Sequence, residues 1–249
     1  MLSTFKADLH LHTCLSPCGD LDCSPRGVVE AALKRGLSLI AVCDHNTAEN
    51  VEATFRAAKR AGGPVVVAGM EVCSQEEVHI LALFERPDEA LEMQTLVYAH
   101  LPPRTNRPEV FGEQVQANED DEVEGFNERL LIAATDLGLA AVVDAIHQRH
   151  GLAVPSHIDR EAYGLLGQLG FIPPDLKADA LEVSGRADLK KLTSLHPELA
   201  GWPLIRSSDA HFIEDVGSAW TEFLLARASL DEIRLALAGQ DGRKIIGLS

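Results

Sequence analysis

The chain has 249 residues, 46% of them apolar and 24% charged, with a formal net charge of −16. This is the balance of a globular protein, and the length suits one α/β barrel. The acidic surplus argues against broad, sequence-independent nucleic-acid binding, which needs a basic footprint. A nucleotide or a short oligonucleotide end stays open as a substrate. No apolar run approaches the ~18 residues of a membrane span. The opening MLSTFKADLHLH has no charged-then-apolar leader, and the odd count of five cysteines points to reduced thiols. A cytoplasmic location is the expectation. Cys14, Cys18 and Cys23 lack the C-x2-C pairs of a zinc ribbon.

In chain order, Phe5, Ala7, Leu9 and Leu11 alternate with Lys6, Asp8, His10 and His12, the period of a strand. Ser24 and Pro25 then read as the N-cap and first turn of a helix that stops before Gly36. Leu37 to Cys43 is an apolar run of strand length. A helix is predicted from about Ala48 to Ala61, ending at Gly62-Gly63. Strands are predicted over Pro64 to Gly69 and Val78 to Phe84, with a helix from Pro87 to about Ala99. From Leu101 to Gly125 the chain carries three prolines and the acidic run Glu119-Asp120-Asp121-Glu122. The segment at about 101–128 reads as an insertion or cap with little regular structure, or as a solvated excursion. Helices follow at Asn127 to Leu137 and Ala140 to His150. Strands are predicted at Leu152 to Ser156, Ala180 to Ser184, Leu204 to Ser207 and Ala219 to Leu225. Helices near Ala187 to Leu195 and at Leu230 to Ala238 complete the pattern. Strands alternating with helices imply a mostly parallel sheet, closed or distorted into a barrel, in one domain spanning 1–249.

His10 and His12, two apart on a strand, point to one face, as a metal-gripping pair must. Asp44, His45, Glu71, His157, Asp209 and His211 each lie just after a strand-like apolar run. In parallel barrels those ends converge on one face, where active sites are built. His79, inside VHILALF, is the exception, and a lone histidine there has a core-packing alternative. So dense a gathering of imidazoles and carboxylates calls for bound cations, and mixed N/O ligation suits zinc, manganese or iron. His100, His147, His150 and His196 read as surface or packing residues. The chain has no G-x-S-x-G elbow, no Walker loop and no dinucleotide loop.

The segments ADLHLHTCLSPCGD, CDHNT, GMEV, VHILALF, PSHIDR and SSDAH, in this order from Asp8 to His211, resemble the PHP family, named for polymerase and histidinol phosphatase. The resemblance implies a distorted (β/α)7 barrel with two or three divalent ions. It places His10, His12 and Asp209 at the first ion, and Asp20, His45 and His211 at the second. Glu71 would bridge ions, and His79 and His157 would hold the third. Asp44 would orient a ligand, and Arg160 would contact the substrate phosphate. Where the family usually reads S-D-G, this chain reads S-P-C-G-D, so Asp22 is an alternative to Asp20.

The implied reaction is hydrolysis of a small phosphorylated substrate, a nucleotide or short oligonucleotide end among them, by a metal-activated hydroxide. Histidinol phosphate is an alternative substrate. Amide hydrolysis on the same barrel, or an accessory role beside a polymerase, are rival readings. No membrane or bulk nucleic-acid partner is expected.

Overall fold

The structure, a computed structural model, describes residues 1–249. Its strands are β1 (Ser3–Leu11), β2 (Leu39–Val42), β3 (Val65–Cys73), β4 (His79–Phe84), β5 (Val115–Ala117), β6 (Val123–Phe126), β7 (Leu152–Pro155), β8 (Leu181–Val183), β9 (Leu204–Arg206), β10 (Thr221–Leu225) and β11 (Lys244–Leu248). One curled sheet runs in the order β11-β10-β1-β2-β3-β4-β7. The parallel pair β8-β9 fills the remaining arc. Asp179 N donates to Ala153 O and Ile158 N to Glu182 O, tying β8 to β7, while His12 N donates to Ala210 O, tying the exit of β9 to β1. The result is the distorted barrel expected from the sequence.

Not every strand is parallel. β4 is antiparallel to both β3 and β7, and β10 and β11 extend the sheet in antiparallel fashion beyond β1. The reversal of β4 decides the position of His79. At one mouth the barrel gathers the C-terminal ends of β1, β2, β3 and β7. An antiparallel strand presents its first residue there, and His79 is the first residue of β4. β3 also runs four residues past its predicted end, so Glu71 lies within the strand, paired with Leu81.

Side-chain alternation stacks two layers inside the barrel. The floor is apolar and includes Ala7, Leu9, Leu39, Ala41, Val67, Leu81, Leu83, Val154 and Ile205. On β3, Glu71 lies on the same face as Val67, two steps nearer the mouth past Gly69, and on β4 His79 lies on the same face as Leu81, one step nearer the mouth. β1 does not keep the simple alternation predicted for it. Its register with β2 shifts between Asp8 and Leu11. Ala7 and Leu9 therefore join the floor, whereas Leu11 packs outside, with Val28, Val29 and Ala32 of helix Pro25–Lys34. A bulge of this kind re-aims side chains beside it, and here it brings both His10 and His12 to the mouth.

Helices cover the outside. Ser24 caps Pro25–Lys34 through Gly27 N, as predicted. The next helix is Val51–Ala61 rather than Ala48–Ala61, because Asn50 is spent elsewhere. Its amide accepts from Ala117 N and donates to Thr13 Oγ1 and Val115 O. Helices Pro87–His100, Leu139–Gln148, Leu189–Leu195 and Leu230–Leu237 occupy predicted positions. The helix predicted over Asn127 to Leu137 is absent. The backbone there bonds to side chains instead: Asn46 donates to Leu131 O and Ala133 O, and Gln114 to Asn127 O and Arg129 O. The strand Lys244–Leu248 carried no sequence signal that was read.

The insertion is more ordered than expected. It holds the turn Pro108–Phe111 and the β5-β6 hairpin. Its acidic run is not merely solvated, since Arg60 pairs with Glu119 and Asp120, and Arg26 with Asp121. Gly112, at φ 100°, lies against the backbone of Pro17, so close that an added Cβ would stand 2.0 Å from Pro17 O. That conformation is essentially restricted to glycine. Gly112→Ala should therefore lower the unfolding free energy by about 2 kcal/mol or more, read from urea unfolding. An unchanged midpoint would show that the insertion does not press on the turn before Cys18.

Candidate metal centre

The mouth of the barrel holds one buried carboxylate encircled by imidazoles. Glu71, 1% exposed, has Oε1 3.3 Å from His10 Nε2, 3.1 Å from His79 Nδ1 and 3.1 Å from His157 Nε2. Its Oε2 is 3.0 Å from His45 Nδ1 and 3.7 Å from His12 Nε2. Asp209 Oδ1 stands 3.1 Å from His12 Nε2 and 3.3 Å from His10 Nε2. Three overlapping groups could each hold an ion: His12, His45 and His211; His10, His12 and Glu71; and His45, Glu71 and His79.

Buried acids behind the histidines fix which nitrogen faces the centre. Glu182, 2% exposed, accepts from His10 Nδ1 at 2.9 Å and from His157 N at 3.1 Å. A carboxylate only accepts, so His10 carries its proton on Nδ1 and turns Nε2 inward. The His12 case runs through a hydroxyl. Ser16 Oγ donates its single proton to Asp44 Oδ1, so it must accept from His12 Nδ1 at 2.9 Å. Asp44 is also held by Thr13 N and Thr13 Oγ1, both at 2.7 Å. It thus supports a candidate ligand without touching the centre. Asp8 acts similarly on the opposite loop, accepting from Ser208 N, Ser208 Oγ and Gly217 N. Burial pushes the Asp8 carboxyl up to about 7 despite those donors.

This donor set fits divalent ions. Ligand atoms held tetrahedrally at 2.0–2.1 Å stand about 3.3 Å apart, close to the spacings around Glu71 and Asp209. His79 Nδ1 lies within 3.1 Å of Glu71 Oε1 yet makes no hydrogen bond. His157 Nδ1 is likewise buried without a partner. Burial pushes the Glu71 carboxyl up, but the imidazoles of His79 and His10 hold it well below the usual carboxylate range. Burial pulls His10 down, but Glu182, Asp209 and Glu71 raise it well above the usual histidine value.

The structure brings together His10, His12, His45, Glu71, His79, His157, Asp209 and His211. It does not bring in Asp20. That side chain is exposed, and its Oδ1 accepts from Asp22 N at 2.9 Å. Cys18 stands at the mouth instead, its Sγ 3.2 Å from His45 Nε2. Burial would push this thiol up, but hydrogen bonds with His211 and His45 bring it down to about 6. Arg160 pairs through Nη1 with Asp209 Oδ2.

The model of the PHP domain matches residues 8–188, and that of the PHP-associated region residues 200–239. The chain belongs to the PHP family. Curated relatives include YqxK, an uncharacterized protein of Bacillus subtilis (strain 168), 33% identical over 103 residues, which are 39% of this chain and 26% of the relative. Another is MJ1587, an uncharacterized protein of Methanocaldococcus jannaschii, 35% identical over 91 residues, 33% of this chain and 52% of the relative. The chain thus matches between a quarter and about half of the length of these relatives. Among solved structures, the lesion-specific endonuclease Q of Pyrococcus furiosus superposes with a TM-score of 0.73 at 18% identity, covering 99% of this chain and 58% of that one. A candidate metal-dependent phosphoesterase from Bifidobacterium adolescentis gives 0.59 at 19% identity, with 94% and 96% coverage. An amidohydrolase from Chromobacterium violaceum gives 0.52 at 22% identity, with 85% and 89% coverage. At these identities the superpositions establish the PHP fold.

Sequence reasoning missed Cys18, Ser16, Glu182 and Tyr163. Glu182 lies in the short strand LEV, where a lone acid among apolar residues was the available signal. The Tyr163 ring stacks on His79 at 4.4 Å and 19°, from an unusual φ of 60°. Partners that orient a ligating histidine are worth about 10–100-fold in metal affinity. Glu182→Gln should therefore weaken zinc binding by roughly tenfold in a chelator competition while leaving the fold intact by circular dichroism. Unaltered affinity would mean that the His10 Nδ1 contact does not orient the ligand.

Proposed function

We propose that this PHP protein hydrolyses phosphate esters of small molecules, with nucleotides and short oligonucleotide ends within its range. The observation that carries this reading is the position of Arg160. Its side chain is shared by two cavities. One, of about 220 Å³, is walled by His45, Glu71, His79, His157, Tyr163 and Ile132. The other, of about 400 Å³, is polar and walled by Ser184, Arg186, Ser208, Asp215 and Ser218. Both include Asp209. A guanidinium at that junction suits a phosphate whose ester group continues into the polar cavity.

His10, His12, His45, Glu71, His79, His157, Asp209 and His211 are the residues that would hold two or three divalent ions, of manganese, zinc or iron. Such ions supply activation of water at neutral pH and offset phosphate charge. The chain supplies the rest. Arg160 orients the phosphate and disperses the charge that grows on its oxygens. Tyr163 and Ile132 line the inner cavity, whose volume of about 220 Å³ admits a phosphoryl group. Asp44, through Ser16, and Glu182 keep His12 and His10 turned inward. The net charge of −16 opposes stable binding of a long polyanion.

Treatment with a strong chelator should abolish phosphate-ester hydrolysis, and manganese or zinc should restore it. Full activity in metal-stripped protein would end the metal-dependent reading. Arg160→Ala should cost about 2–4 kcal/mol in kcat/KM towards phosphate esters, the loss of one preorganised donor, with metal content retained. Arg160→Lys should recover part of it, since an ammonium cannot make a planar two-point contact. The assay panel would contain nucleotides, histidinol phosphate, a lesion-bearing duplex and amides. Turnover of amides alone would replace the phosphoesterase reading by amide hydrolysis, and unchanged kcat/KM in a fully metallated Arg160→Ala protein would remove Arg160 from the mechanism.

A further inference from the structure

Resting on the reading of the mouth as a metal centre, we propose that Cys18, and not Asp20, completes with His45 and His211 one metal position, and that its sulfur makes this position selective for zinc over manganese.

The local fold turns these two residues in opposite directions. Ser16 N donates to Thr13 O and Gly19 N to Ser16 O, closing a tight turn over 13–19. A Cβ on Gly19 would lie 2.4 Å from Thr13 O, so no other residue fits there without moving the turn. Gly112 of the insertion presses on Pro17 from outside. Held on both sides, the turn sets Cys18, itself exposed, at the edge of the inner cavity, with its sulfur on the wall formed with His45 and His211. The chain then leaves: Asp20 N donates to His211 O, and the Asp20 carboxylate caps Asp22 N on the surface.

The imidazole of His45 is arranged for the same purpose. Its Nδ1 is 3.0 Å from Glu71 Oε2, and its Nε2 is 3.2 Å from Cys18 Sγ. A ligating histidine generally gives its other ring N–H to a carboxylate. That leaves His45 Nε2 as the metal-facing nitrogen, on the side where Cys18 and His211 meet. Zinc binds sulfur at ~2.3 Å and nitrogen at 2.0–2.1 Å, so the S···N edge of such a site is about 3.6 Å. The observed spacing is within a few tenths of an ångström of that. Thiolate is a soft ligand that suits zinc, whereas manganese prefers oxygen. A position built from two imidazoles and a thiolate therefore differs in kind from its neighbours, which include Glu71 and Asp209.

Sulfur also gives the test a signature of its own. The other four thiols face backbone carbonyls: Cys14 towards Val115 O, Cys23 towards His211 O, Cys43 towards Leu9 O and Cys73 towards Ser74 O. The whole chain, stripped and reloaded with cobalt, should show a near-ultraviolet sulfur-to-cobalt charge-transfer band alongside the visible cobalt bands. Cys18→Ser should lose the charge-transfer band and keep visible bands from the other positions. Asp20→Asn should keep both. In chelator competition, Cys18→Ser should lose at least roughly tenfold in zinc affinity, with manganese affinity little changed. Independently of any variant, zinc should slow the reaction of one thiol of the wild-type protein with a thiol reagent, and chelation should restore it. Visible cobalt bands without a charge-transfer band, a band that survives Cys18→Ser or disappears in Asp20→Asn, or no protection by zinc would each overturn the assignment. Failure of the protein to take up any cobalt, zinc or manganese would instead overturn the metal centre itself.

Discussion

Everything at the mouth depends on one buried carboxylate. Glu71 sits 1% exposed among five histidines drawn from β1, the exits of β2 and β7, and the start of β4. An isolated charge in such a place would cost several kcal/mol. It is tolerable here because imidazoles ring it, and those of His79 and His10 hold its carboxyl well below the usual carboxylate range, while burial lowers His12 and His79 themselves below the usual histidine value. The barrel is arranged to supply these imidazoles. The bulge in β1 raises two histidines from the floor layer, and the reversal of β4 delivers His79 from the opposite chain direction. Remove Glu71 and His10, His45 and His79 would each lose the carboxylate they face. Remove the imidazoles and the carboxylate would be stranded.

A second ring of acids stands behind the first. Glu182, Asp44 and Asp8 are buried, yet none is a member of the candidate ion-holding groups. Each instead fixes an imidazole or a loop: Glu182 holds His10, Asp44 holds Ser16 and through it His12, and Asp8 holds the loop that carries Asp209. The left-handed backbone at His157 and Asp209, with φ of 32° and 53°, belongs to the same investment. Such conformations cost about 1–3 kcal/mol each and persist where the surroundings over-determine them. Stability is thereby exchanged for a fixed set of donor directions.

Much of this was legible in the sequence, and what was not has physical reasons. Strand and helix order followed from periodicity and capping, because Ser24-Pro25 and Gly62 act locally. His10, His12 and Asp209 were visible because they cluster at strand ends in a recognisable order. The reversal of β4 was not visible, since a buried apolar strand reads alike in either direction. Asp20 illustrates a limit of motif spacing. The turn at Gly19 leaves the Asp20 carboxylate on Asp22 N at the surface, whereas Cys18, two residues earlier, lines the inner cavity. Glu182 was hidden inside a three-residue strand. The helix expected over 127–137 failed because tertiary partners such as Asn46 and Gln114 took the backbone groups that a helix would have used.

The electrostatics set a size limit on what this mouth can hold. The chain as a whole carries a net charge of −16. Cations at the centre, together with Arg160 and Arg186, would reverse that sign locally. In physiological salt the influence of a charge fades over about 8 Å. A substrate with its phosphates confined to the two adjoining cavities would feel the cationic region throughout. Each further phosphate on a longer strand would lie beyond that range and, on a chain of net charge −16, would gain little from it. Endonuclease Q has been crystallised with a 27-mer duplex carrying an abasic lesion, yet this chain covers 58% of that protein. On the proposed phosphoesterase reading, this charge balance favours short phosphorylated molecules over long strands.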